Sequence, residues 1–267
     1  MIDTNQYKFN LLKSPDDKRD FLLETIYPET VTLPKTWDLR DQMRPVRDQG
    51  MYGTCSAQTA AAIKEWEEFI DVQFKDYMSP QFVYNLRENA PEEGMTPRNT
   101  MEILYKIGIV PEFNYKYGSN SPITKELLDI AEHYKIQGYA RISTIESLKK
   151  ALFANGPCYI AFPVYNPNKM EFWKPDYTGQ VLLGGHAVCV CGYLEDSFII
   201  RNSWSNAWGD NGYTYYPFKD FGMHWEIWTA IDADSNPETL NKKIANIKPE
   251  DKKSIFRKIF GRKLRKK

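Results

Sequence analysis

Two side-chain types able to do nucleophilic or proton-transfer work at neutral pH are scarce in this chain. Among 267 residues there are four cysteines (Cys55, Cys158, Cys189, Cys191) and three histidines (His133, His186, His224). Cys55 follows the glycine-punctuated turn Gln49-Gly50-Met51-Tyr52-Gly53-Thr54 and opens a helical stretch. The first turn of a helix has unpaired N–H groups and the positive end of the dipole, and both favour thiolate over thiol. By position alone, a nucleophile and a thiol facing a core are both open. Cys158, Cys189 and Cys191 lie in strand-like apolar text and read as buried small side chains. His186 follows Gly184-Gly185 and opens the strand AVCVCGY, so it faces either a cleft or a hydrogen-bonded core. His133 reads as a surface or helix-end residue, and His224, at a strand entrance, as structural.

A metal site built from His186, Cys189 and Cys191 is not expected. Strand alternation points His186 with Val188 and the two cysteines the other way. No second Cys/His cluster completes a tetrahedral set. No Walker loop, dinucleotide fingerprint, H-E-x-x-H or G-x-S-x-G is present, so no cofactor is expected either.

The constellation says more than its parts. Gln49 stands six residues before Cys55, His186 131 residues after it, and Asn202 147 after it, inside IIRNSWSNAWGDNGY. These are the separations of the papain/cathepsin signature. With PVRDQGMYGTCS, GGHAVCVCGY and FIIRNSWSNAWGDNGYTYY in order, the chain resembles papain-like cysteine peptidases over residues 33 to about 232.

The resemblance implies an α+β, two-lobed fold, with a helical N-terminal lobe, a β-barrel-like C-terminal lobe and the active site between them. It implies Cys55 as nucleophile forming a thioester, and His186 as the imidazolium beside the thiolate. It implies Asn202 orienting that ring, and Gln49 donating with the Cys55 N–H to an oxyanion. Trp204 would shield the His186–Asn202 hydrogen bond. Gly53 and Gly185 would line the substrate path, with residues 94–97 as a further wall. Peptides or proteins are then the substrates, and endopeptidase action is the default. The alternative is a catalytically silent papain-like binding or structural protein localised by its tail; transglutaminase-like acyl transfer is a more distant third.

Two positions depart from the family pattern. Tyr52 stands where a disulfide cysteine is usual, and Ser56 where an aromatic residue follows the nucleophile, which leaves the packing beneath the helix open. The branch without signal peptides, found in bacteria, archaea and large DNA viruses, fits best.

The supporting elements are legible as patterns. CSAQTAAAIKEWEEFI reads as a helix with Thr59, Ile63, Trp66 and Ile70 near one face. Ser79-Pro80 opens a second helix, and a third is expected over about Thr100–Lys106. A fourth covers 124–134, and a fifth runs from a capping box at Ser143–Glu146 to Asn155-Gly156. Strands follow in CYIAFPVY, HAVCVCGY, SFIIRN, GYTYYP and EIWTAID. The division is an N-terminal segment 1–32, a catalytic domain 33–232 (helical lobe about 33–122, β-rich lobe about 123–232) and a basic tail 233–267. For residues 1–32, a short activation peptide, a strap across the cleft and a structural arm are all open.

Composition sets the frame. With 42% hydrophobic and 26% charged residues the chain is globular. No run approaches the roughly 18–20 apolar residues of a membrane helix, and the start MIDTNQYKFN lacks a signal-peptide pattern. An intracellular, reducing compartment is expected, with a virion or host-cell location if the source is viral. The zero net charge divides into +10 over residues 242–267 and −10 elsewhere. SIFRKIFGRKLRKK has the pattern of an amphipathic basic helix, so anionic lipid, nucleic acid or an acidic protein could meet it. Oligomeric state is left open.

Overall fold

The computed structural model describes residues 4–25 and 32–231; the basic tail lies outside the described residues. One antiparallel sheet organises the chain. Its strand order is β2 (Gly138–Ile142), β7 (Glu226–Ile231), β3 (Cys158–Val164), β4 (Gly184–Tyr193), β5 (Ser197–Arg201) and β6 (Tyr213–Pro217). A two-residue strand β1 (Trp37–Asp38) adds to β4. Around it lie α1 (Cys55–Val72), α2 (Pro80–Asn85), α3 (Pro97–Lys106), α4 (Lys125–Ala131) and α5 (Ile145–Ala154).

Strand alternation divides the interior. Ala187, Cys189 and Cys191 of β4 join the cluster that contains Ala57, Ala60, Ala61 and Ile63 of α1. Val188 and Val190 face the opposite cluster, with Phe162, Phe198, Trp204 and Tyr216. Each fully buried Val or Phe in these clusters contributes about 1.5–3 kcal/mol. The alanine run 60–62 lets α1 approach the sheet closely, so the N-terminus of α1 lies beside the start of β4.

Three helix expectations need adjusting. The third helix starts at Pro97, not near Thr100, because Thr96 Oγ1 accepts from Asn99 N at 3.2 Å and Pro97 presets the first turn. The cap of α5 is Thr144, accepting from Ser147 N at 3.1 Å, one residue beyond the expected Ser143–Glu146 box. The stretch 124–134 is α-helical only to Ala131 and tightens into a 3₁₀ turn. Strands β1 and β2, which lack a long alternating run, were not anticipated.

The N-terminal segment divides in two. Residues 14–25 brace the sheet. Leu23 is fully buried among β-lobe side chains, Ser14 N donates to Glu226 Oε1 at 2.8 Å, and Asp20 accepts from Arg98 Nε at 2.9 Å. Residues 7–12 instead run between the lobes.

Candidate active site

The turn before α1 is held by the loop after β5. Gln49 N donates to Ser203 O at 2.9 Å and Ser205 N to Arg47 O at 2.9 Å. Arg47 is fixed by Glu65 at 3.0 Å, Glu112 at 2.6 Å and the Met78 carbonyl at 2.7 Å. These bonds bring Gln49 and Cys55 to the same place as Asn202 and Trp204. Gln49 is buried; its Oε1 accepts from Ser203 Oγ at 2.7 Å, and its Nε2 donates to Tyr52 O at 3.0 Å.

Cys55 is the first residue of α1. The preceding Thr54 does not cap the helix, because its hydroxyl is engaged with Tyr117 Oη at 2.7 Å. The amides of Cys55 and Ser56 at the helix start, together with that of Ala187 on β4, lie against the sulfur and favour a thiolate. Ser56 makes good the missing aromatic residue: its Oγ lies 2.6 Å from the Tyr159 hydroxyl, so β3 supplies the ring from across the interface.

His186 Nε2 is 2.8 Å from Asn202 Oδ1, which also accepts from Ser203 N at 2.7 Å. Trp204 stacks on the imidazole, with centroids 4.4 Å apart at 26°. His186 Nδ1 is buried without a hydrogen-bond partner among the described residues. The other histidines are elsewhere: His133 is exposed, and His224 Nδ1 sits 3.0 Å from the Tyr216 hydroxyl.

The state of the pair corrects one expectation. Cys55 is 1% exposed and His186 0%. Burial pushes the Cys55 thiol up to about 11, against the pull of the three amides. Burial likewise pushes His186 down to about 4, against its bond to Asn202. A helix terminus supplies about 0.3–1 kcal/mol, up to about 2 in buried geometry. Full desolvation moves a pKa by as much as 3–5 units. Desolvation wins, so both groups are neutral here rather than an exposed thiolate–imidazolium pair.

The cover is the chain's own N-terminal segment. Gly185 N donates to Phe9 O at 3.0 Å and Leu11 N to Gly185 O at 3.2 Å, while Leu12 N donates to Met95 O at 3.2 Å on the opposite wall. Tyr7 stacks on Trp204 at 5.2 Å and Phe9 meets its edge at 5.7 Å. Leu11 is buried in the cluster of Met95, Ala161 and Ala187. A Cβ on Gly53 would lie 2.3 Å from Asn10 Oδ1, and one on Gly185 2.6 Å from Leu11 O. Both glycines thus leave room for an extended chain, and residues 7–12 fill it. Gly94 (φ +82°) is used the same way, since its Cβ would lie 1.9 Å from Asn10 O. Among the described residues, Gln49 Nε2 donates one proton to Tyr52 O and bonds to no backbone carbonyl of this segment.

Of the expected site residues, Gly53, Gly185 and Trp204 touch this segment and Cys55 shares a cluster with Leu11, while Gln49, His186 and Asn202 are held by Ser203 and one another. Sequence reading missed Ser203 and Tyr117, which hold Gln49 through its side chain and its carbonyl. It also missed Tyr7, Phe9 and Leu11. Their signal was present: in YKFNL, apolar residues alternate, as in a strand buried on one side.

Comparison with known proteins agrees with this geometry. Residues 33–223 match the papain family cysteine protease domain. An uncharacterised peptidase C1-like protein of Acanthamoeba polyphaga mimivirus is 28% identical, over 90% of this chain and 93% of its own length. Xylellain, a cysteine protease from Xylella fastidiosa, superposes with a TM-score of 0.72 at 25% identity, covering 85% of this chain and 97% of its own. A digestive procathepsin of Tenebrio molitor larval midgut shares the fold at TM-score 0.68 and 20% identity, over 86% of this chain and 81% of its own. With its fold, its cleft and nearly three-quarters of its length in agreement, the chain belongs to the papain family of cysteine proteases.

Proposed function

We propose that this cysteine protease is an endopeptidase whose N-terminal segment closes its own cleft. The observation that carries the reading is the His186–Asn202 hydrogen bond under Trp204, beside a helix-start Cys55, with Phe9–Leu12 bonded to both walls. Once the segment leaves, water and substrate reach Cys55, and the desolvation that keeps the pair neutral is relieved. Sγ gives its proton to His186 Nδ1 and attacks the scissile carbonyl carbon. The oxyanion accepts from the Cys55 N–H and Gln49 Nε2, each such donor supplying roughly 3–4 kcal/mol. His186 then protonates the leaving amine, and the thioester is hydrolysed by a water that His186 deprotonates. Asn202 Oδ1 holds the ring through Nε2 during both steps.

An internal peptide bond suits the path, because the segment continues past Cys55 in both directions. The Leu11 position favours an apolar side chain close to the scissile bond. The segment escapes cleavage because its carbonyls are committed elsewhere: Phe9 O takes the Gly185 N–H, and Asn10 O lies against Gly94.

The silent-protein alternative draws on the burial of Cys55 and His186. Alkylation by a peptidyl epoxide separates the two. Chain lacking residues 1–13 is expected to be labelled at Cys55 alone and to cleave peptides, while Cys55→Ser does neither. Equal labelling of all four cysteines, or of none, would remove the endopeptidase reading. Docking of the basic tail is a separate proposal: deleting 242–267 is expected to spare cleavage and abolish binding to anionic vesicles or polyanions.

A further inference from the structure

Helix α1 carries a second polar group one turn beyond the nucleophile. Gln58 is 3% exposed; its side chain lies against the Tyr117 hydroxyl, which can accept from Nε2, and its Oε1 has no hydrogen-bond partner among the described residues. Tyr117 lies beside it but has no proton to offer, because that hydroxyl donates to Gln49 O at 2.7 Å. A buried polar group left in this condition costs about 1–3 kcal/mol.

Two further groups without a partner among the described residues belong to the same place. Asn202 spends its Oδ1 on His186 and Ser203, while its Nδ2 is buried and unpartnered. Arg47 Nε is likewise buried without a partner. Gln58, Asn202 and Arg47 line one cavity of about 10 Å³, between α1 and the start of the loop after β5. That is the space one water molecule needs, and such a water takes two to four polar partners.

The geometry points to a buried water bridging Gln58, Asn202 and Arg47, which makes Gln58 a positioning residue for the His186–Asn202 pair. The water accepts from Asn202 Nδ2 and Arg47 Nε and donates to Gln58 Oε1. An anion fits less well. Gln58 Oε1 needs a donor, and Arg47 is already balanced by Glu65 and Glu112.

The consequence concerns which way the Asn202 amide faces. Turned end for end, it would present Nδ2 to His186 Nε2, setting N–H against N–H once the ring is protonated. An acceptor fixed beside Nδ2 opposes that turn and keeps Oδ1 on the imidazole. Because Gln58 rides on the helix that starts at Cys55, the bridge also ties the nucleophile's helix to the orienting amide.

The kinetic part rests on the endopeptidase reading; the structural part does not. A crystal structure of the full chain is expected to show a water within hydrogen-bonding distance of Gln58 Oε1 and Asn202 Nδ2. Gln58→Met should lose it and speed solvent exchange of the His186 Nε2 proton, followed by NMR. In activated enzyme, kcat should fall about tenfold, as for other outer partners that orient a site. KM should hold, and the alkaline limb of kcat/KM should move to lower pH. Gln58→Glu, which keeps an acceptor, should restore the water and the protected proton. A dry cavity in the wild type overturns the inference. So does a Gln58→Met chain that loses only thermal stability while the His186 proton is unmoved, or a Gln58→Glu chain that exchanges as fast as Gln58→Met. A wild type without peptidase activity would sink the proposed function, leaving the water and the NMR signal to decide this one.

Discussion

Residues 7–12 and 14–25 belong to one N-terminal segment, yet they are held by different forces. The first stretch lies between two walls on backbone hydrogen bonds to Gly185 and Met95 and on the ring faces of Tyr7 and Phe9. The second is anchored by the fully buried Leu23, by Asp20 between Arg98 and Arg141, and by the Ser14–Glu226 bond. One is bound as a ligand is bound; the other is part of the sheet lobe. Ligand-like binding can be undone without unfolding, whereas integral packing cannot.

Removing residues 1–13 is the strongest way to test that contrast. Alkylation of Cys55 depends on the fraction of molecules with an open cleft. A closing free energy of about 4 kcal/mol would give a rise on the order of a thousandfold, at tenfold per 1.4 kcal/mol. Mass spectrometry of epoxide-treated protein measures it. An unchanged rate would mean that the first stretch does not guard the sulfur.

Leu23→Ala sharpens the other half. It should cost about 3 kcal/mol of unfolding free energy in denaturant melts, within the range for a Leu-to-Ala cavity, and leave Cys55 labelling nearly unchanged. Leu11→Ala should do the reverse, with a small stability loss and faster labelling. If both variants behaved alike, the two stretches would form a single unit.

Much of this was legible in the sequence, for reasons that differ by element. Helix α1 shows through its alanine run and its glycine-rich approach, and β3–β7 through apolar runs closed by turn residues. Thr96 went unnoticed because a threonine before proline reads equally well as loop. The contacts of residues 7–12 were hidden because five alternating residues in polar surroundings do not say which groove they fill. The neutral state of Cys55 was hidden for the same reason. Position at a helix start is written in the sequence, but the burial that outweighs it comes from packing with sequence-distant residues, Leu11 and Ala187 among them. The burial of Glu65 was likewise invisible, since its partner Arg47 reaches it only on folding, whereas Lys64 meets Glu67 and Glu68 within its own helix.

Asp20→Asn should have a smaller effect. Asp20 lies 2.6 Å from Arg98 Nη2 and 3.4 Å from Arg141 Nη1. Removing its charge leaves two partly buried guanidiniums short of a partner, which should cost about 2 kcal/mol, within the range for a hydrogen bond to a charged group and below that for a fully buried pair. Thermal melts measure the loss, and labelling of Cys55 should scarcely change. Strong deprotection of Cys55 by this variant would show that the brace also works the cover.

The smallest expected effect is a flat line, and it discriminates best between an active pair and a silent one. In the closed site Cys55 is raised to about 11 and His186 lowered to about 4, so between those values the pair holds one proton, on sulfur. In an open thiolate–imidazolium pair it still holds one, on the ring. Stability changes with pH only where the two states bind different numbers of protons. Closure should therefore be independent of pH across neutrality. In acid little should change, because a thiolate paired with histidine takes up its second proton at about 3–4 and the closed His186 at about 4. Closure should weaken in alkali, where the open ring gives up its proton before the closed thiol does. An open site with an independent thiol and histidine behaves otherwise: its ring gains a proton as pH falls through about 6.5, the closed ring does not until about 4, and closure fades throughout that interval. The ratio of Cys55 labelling rates in full-length and truncated chain, followed from about pH 8 to 5, separates the two. A plateau in that ratio supports a coupled nucleophile and base; a steady rise of the ratio toward acid would break the pairing on which the proposed mechanism rests.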